Sequence, residues 1–128
     1  MDSSSYLSLV NGNDIHHKQA RKIWDQIAKE RWNTFTSNFI IAETHSLFLI
    51  RLGQKAATLF LHEIVKSKTT IERVSPQDEK RAYSIIFQYD DKDFSLIDAT
   101  SFIVMERLHI SYAFTFDRHF EQYGLAVL

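Results

Sequence analysis

The 128-residue chain has no cysteine, one proline and only three glycines. Without cysteine, neither a disulfide framework nor a thiolate zinc site is possible, and nothing calls for an oxidising compartment. Gly12, Gly53 and Gly124 are scattered at turn positions. No glycine-rich phosphate cradle can be built from them, so P-loop and dinucleotide-binding readings fall. No stretch approaches the ~20 apolar residues of a membrane span. Met1-Asp2-Ser3-Ser4-Ser5 lacks the basic head and apolar run of a signal peptide. A soluble, cytoplasmic protein is expected.

Core-forming material is ample: 45% of residues are hydrophobic and ten are Phe, enough for one packed domain over residues 1–128. The net charge of −1 is unevenly spread. Between Arg51 and Arg73 five basic residues (Arg51, Lys55, Lys66, Lys68 and Arg73) face two acids, a sector suited to phosphates or simply to solvent.

Helical and strand-like segments alternate. Ala20, Ile23, Trp24, Ile27 and Ala28 form the apolar stripe of a helix over roughly 16–30. A β-prone run at 33–37 precedes a helix over 39–52 that Gly53 stops, and a second helix spans 54–67. A strand at 70–74 leads to Ser75-Pro76-Gln77-Asp78, a helix start with capping serine, first-turn proline and answering acid. A further helix over 95–108, a strand at 112–115, a short helical turn and an extended end at 126–128 complete the chain. Strands separated by helices pair in parallel, which predicts a three-layer α/β/α domain with a short, mostly parallel sheet.

Four acids stand out. Glu43 shares its helix face with Phe39, Ile40, Leu47 and Ile50; Asp98 shares its own with Phe94, Phe102 and Met105. A carboxylate in apolar company is either satisfied locally or functional. Asp98 also fits the third helical position of a capping box begun by Ser95, and Asp2 and Asp117 suit helix N-caps. In parallel α/β sheets ligand sites gather beyond the C-terminal ends of strands, where one cleft can collect all four. Two carboxylates 4 Å apart repel by about 4 kcal/mol at an effective dielectric of 20, so such a cluster needs protons or a cation. An oxygen-only set selects Mg²⁺ or Mn²⁺. The histidines lack a His-x-x-x-His pair, which argues against zinc; Arg118 and His119 read as exposed surface, and Asp14 as a cap of the helix that follows it.

Asp2-Ser3-Ser4, the 38–49 helix with Glu43, Ser95-Leu96-Ile97-Asp98-Ala99 and Thr115-Phe116-Asp117-Arg118-His119-Phe120 resemble the PIN-domain family, above all its VapC-like toxins. The resemblance covers essentially the whole chain. It implies a metal-dependent endoribonuclease, commonly a homodimer, that cuts RNA and is held inactive by a VapB-like antitoxin. It gives Asp2, Glu43, Asp98 and Asp117 the catalytic and metal-holding role, with Ser4 and Thr115 as hydroxyls that orient them. One element departs from the pattern. The family's apolar strand before the first Asp is represented by Met1 alone, so the first strand reads as truncated; either a start codon assigned too late or a gap in the sheet filled by other chain is expected, with Asp2 beside a free α-amine. Apolar residues beyond one stripe on the two central helices, including Phe48, Leu49 and Leu61, fit a self-association surface. Three other readings compete, of which a phosphatase with an aspartyl nucleophile wants Asp-x-Asp and meets Ser4 instead. A phosphoacceptor signalling domain wants an adjacent acidic pair near the N-terminus and a late lysine, and no lysine follows Lys92. A non-catalytic PIN-like module that only binds RNA or protein differs in activity rather than in sequence.

Overall fold

In the computed structural model, which describes residues 1–128, polar caps start most helices where the sequence places them. Asp2 Oδ1 accepts the Ser5 N–H and opens α1 (Ser3–Val10). Helix α2 (His17–Glu30) buries Ala20, Ile23 and Ile27, most of the stripe read from the sequence. Ser37 caps α3 (Asn38–Leu52), and Gly53 alone separates it from α4 (Gln54–Lys66). The φ of Gly53 is 94°, a conformation that a side chain would strain, so the chain reverses there without a longer loop. Reciprocal capping boxes, Ser75 with Asp78 and Ser95 with Asp98, open α5 (Pro76–Gln88) and α6 (Leu96–Arg107). A short α7 (His119–Tyr123) ends at Gly124.

The strands form two parallel pairs: β1 (Phe35–Ser37) with β2 (Thr70–Glu72), and β3 (Tyr112–Ala113) with β4 (Ala126–Val127). Helices connect the members of each pair, as parallel pairing requires. Only Met1 and Asp2 lie between the pairs. The Met1 α-amine donates to the Phe35 carbonyl at 2.9 Å, and the Asp2 N–H to the Phe114 carbonyl at 3.4 Å. Beside them a cavity of about 610 Å³ is lined largely by apolar side chains, among them Ile40, Val104, Met105 and Phe114. The strands thus form two separate two-stranded pairs. Burial pulls the proton affinity of the Met1 amine down, against the opposing charge of Asp2.

Adjacent strand residues face opposite sides of a sheet. Ala113 packs with α5, α6 and α7, while Phe114 packs with Ala20, Ile23 and Ile27 of α2. Helices thus cover both faces, the three-layer arrangement expected. Phe102, fully buried, anchors the first side, edge-on to Phe94 at 5.2 Å and stacked on Tyr123 at 4.4 Å. A third cluster joins α1, α3 and α4 through Tyr6, Leu7, Ile40, Phe48, Phe60 and Ile64. Phe48 therefore corrects one expectation. It falls four residues after Thr44 and eight after Ile40, on the buried stripe of α3, so it belongs to this chain's own core rather than to a surplus surface. Leu49 and Leu61 are exposed, as are Ile50, Leu59 and Val65.

Candidate active site

The capping geometry just described also assembles an acidic cleft. Asp2, buried at the start of α1, has both carboxylate oxygens engaged: Oδ1 accepts from Ser4 Oγ at 2.8 Å and the Ser5 N–H at 3.1 Å, and Oδ2 from Thr115 Oγ1 at 2.6 Å. Thr115 Oγ1 in turn accepts the Asp117 N–H at 2.9 Å, and Ser4 Oγ the Phe116 N–H at 2.9 Å. These two hydroxyls tie the N-terminus of α1 to the segment leaving β3. Burial raises the Asp2 pKa, although the Thr115, Ser4 and Ser5 bonds oppose the shift.

Asp98 reaches the same cleft from the first turn of α6. Its Oδ2 accepts the Ser95 N–H at 3.1 Å, completing the capping box, and also lies 2.9 Å from Nδ1 of His119. The same Nδ1 is 3.1 Å from Oδ1 of Asp117. Capping and site membership are thus compatible uses of one carboxylate. One ligand-capable atom from each of Asp98, Asp117 and His119 falls within 4.8 Å of the others.

Glu43 comes from the second turn of α3. Its Oε1 accepts a 2.5 Å hydrogen bond from Ser3 Oγ. Its pKa is raised, first by burial and then by the charges of Asp98, Asp2 and Asp117, against the lowering effect of the Ser3 bond. The fourth acid therefore senses the other three, and the four sequence-predicted acids occupy one electrostatic neighbourhood.

Sequence reasoning missed one member and misread two further residues. Ser3 supplies the bond to Glu43, and no sequence pattern distinguishes it from Ser4 or Ser5. His119 is corrected from exposed surface to a half-buried ring between two acids, because the turn after Asp117 folds it back under Phe94, whose ring it meets edge-on at 5.7 Å. Arg118 is exposed as expected. Asp14 does not cap α2; its Oδ1 accepts from Ser8 Oγ and the His16 N–H, securing the turn between α1 and α2.

An α/β/α domain with acids collected at strand and helix ends defines a class, and the family comparison agrees: the PIN domain model matches residues 1–125. The chain belongs to the PIN-domain family. Among relatives, it is similar to the "23S rRNA-specific endonuclease VapC20" of Mycobacterium tuberculosis, strains H37Rv and CDC 1551 / Oshkosh, with 31% identity over 124 residues that cover 97% of this chain and 92% of the relative. The crystal structure of Mycobacterium tuberculosis VapC20, described as a sarcin-ricin loop cleaving toxin, superposes with a TM-score of 0.90 at 30% identity, covering 98% of this chain and 94% of that one. No helix of this chain is long and apolar enough to cross a membrane.

Proposed function

We propose that this chain is an endoribonuclease toxin of a toxin–antitoxin pair, dependent on Mg²⁺ or Mn²⁺, in which Asp2, Glu43, Asp98 and Asp117 form the metal-holding site. The observation that carries the reading is the gathering of Asp98 and Asp117 in one cluster, with Asp2 tied to the Asp117 segment through Thr115 and with Glu43 beside them, its pKa raised by burial first and then by the charges of the other three acids. Carboxylates that repel one another in a cleft are matched by a small divalent cation, and an oxygen-rich donor set suits a hard ion. The donor set therefore fits the metal that the family implies.

When bound, the metal would supply charge stabilisation at the phosphodiester and a more acidic water. The chain's own residues do the rest. Thr115 and Ser4 hold Asp2 through three hydrogen bonds, counting the Ser5 N–H, so its orientation is set by the fold. The Ser95 capping box fixes Asp98 on α6. Glu43, with its proton affinity raised, is the group suited to take a proton from the attacking water.

The likeness to VapC20 supports a structured loop of 23S rRNA as substrate and a VapB-like antitoxin as partner. The exposed Leu49, Ile50, Leu59, Leu61 and Val65 on α3 and α4 support a homodimer. Calorimetric titration of metal-free protein with Mn²⁺, coupled to cleavage assays on a 23S rRNA fragment, tests the core of the proposal. Binding and cleavage together support it; binding without cleavage of any RNA would leave a non-catalytic PIN-like module. Sedimentation that shows a monomer at tens of micromolar would remove the homodimer.

A further inference from the structure

The four-acid reading treats the site as oxygen only, yet a side-chain nitrogen stands between Asp98 and Asp117. Nδ1 of His119 lies 2.9 Å from Asp98 Oδ2 and 3.1 Å from Asp117 Oδ1. Neighbouring donors around an octahedral ion with bonds of about 2.1 Å are separated by about 3.0 Å. The His119 nitrogen thus stands from each carboxylate at a spacing found between neighbouring donors on an ion's coordination sphere, and one donor atom from each of the three side chains lies within 4.8 Å of the others. The ring is held there by three features: its position at the start of α7, the bond from its own N–H to Asp117 Oδ1 at 2.9 Å, and the edge contact with Phe94.

Resting on the metal-dependent reading above, we infer that His119 is itself a metal ligand through Nδ1, giving a mixed nitrogen and oxygen site that prefers Mn²⁺ to Mg²⁺. Imidazole nitrogen contributes more to first-row transition ions than to Mg²⁺, which favours carboxylate and water. A neutral ring also adds a donor without adding to the repulsion among the acids. With Nδ1 giving its lone pair, the ring proton resides on Nε2, away from Asp98 and Asp117.

Titrating the purified 128-residue protein with Mn²⁺ and with Mg²⁺ by calorimetry, with pulsed electron paramagnetic resonance of bound Mn²⁺ for nitrogen coupling, tests this. The wild type should bind Mn²⁺ more tightly than Mg²⁺ and show coupling to one histidine nitrogen. His119→Ala should remove the coupling and weaken Mn²⁺ by at least ~10-fold while leaving Mg²⁺ nearly unchanged. His119→Asp, which restores an oxygen donor, should recover binding with the preference moved toward Mg²⁺. Bound Mn²⁺ without nitrogen coupling, or a Mn²⁺ to Mg²⁺ ratio unmoved by either variant, overturns this inference alone and leaves His119 as a hydrogen-bonding support for the two carboxylates. Failure of the wild type to bind either ion overturns it together with the metal-dependent reading.

Discussion

Thr115 Oγ1 donates a 2.6 Å hydrogen bond to Oδ2 of Asp2, joining residues 113 positions apart in the chain. The same oxygen accepts the Asp117 N–H, so a single hydroxyl orients two of the four acids. Thr115→Val keeps the shape and removes both functions, leaving a buried carboxylate oxygen without its donor. A stability loss of about 1–3 kcal/mol in urea unfolding is expected. Mn²⁺ affinity should fall by ~10–100-fold. Thr115→Ser should retain both properties; a Thr115→Val protein that binds metal like the wild type would remove the orienting role.

Much of this arrangement is legible in the sequence because it is local. The capping boxes at Ser75 and Ser95 and the stop at Gly53 depend on residues three or four positions apart, and they appear where their patterns place them. The acids at Asp2, Glu43, Asp98 and Asp117 are legible as candidates for a related reason: Asp2 and Asp117 stand just before helix starts, Asp98 lies in a first turn, and Glu43 sits among apolar neighbours. His119 is not, because its place depends on how the turn after β3 folds back toward α6, a tertiary relation with no short-range signature. Nor is the split of the sheet into two pairs readable in its details. Pairing partners are set by packing across the whole chain.

Glu43 is expected to be destabilising without metal, because its charge adds to that of three neighbours. Glu43→Gln removes that repulsion while its amide oxygen can still accept from Ser3 Oγ. The metal-free protein should gain stability of about 1 kcal/mol or less. The rise in melting temperature on adding Mn²⁺ should shrink at the same time. Thermal melts with and without Mn²⁺ measure both effects; a variant that is less stable without metal and equally stabilised by it would contradict the repulsion argument.

Away from the cleft, Arg107 holds Asp78 through Nε at 3.0 Å and Nη2 at 2.9 Å and reaches Glu72 at 2.9 Å. Burial would raise the Asp78 pKa, but the Arg107 and Ser75 bonds outweigh it and hold the carboxyl below its usual range. A lowered folded-state pKa contributes stability above the ordinary Asp value of about 3.9 and loses it as pH falls through the lowered value. Arg107→Gln should therefore cost about 1–2 kcal/mol at pH 5–7, less than a fully buried pair because Arg107 is a third exposed. The difference from wild type should shrink as pH falls through the lowered Asp78 value. Urea unfolding across that range checks the sign; a gap that widens on acidification would refute it.

Cleavage of a 23S rRNA fragment containing the sarcin-ricin loop by wild type and Asp98→Asn, each with Mn²⁺ and with chelator, tests the four-acid nuclease most directly. The amide can still accept the Ser95 N–H, so the variant should stay folded within about 1 kcal/mol of wild type. Wild type should cut only with Mn²⁺, and Asp98→Asn should cut at least ~100-fold more slowly, as expected when a group that supports charge in the transition state is lost. Wild-type protein that leaves RNA intact in Mn²⁺, or an Asp98→Asn protein that cuts at the wild-type rate, would contradict the account.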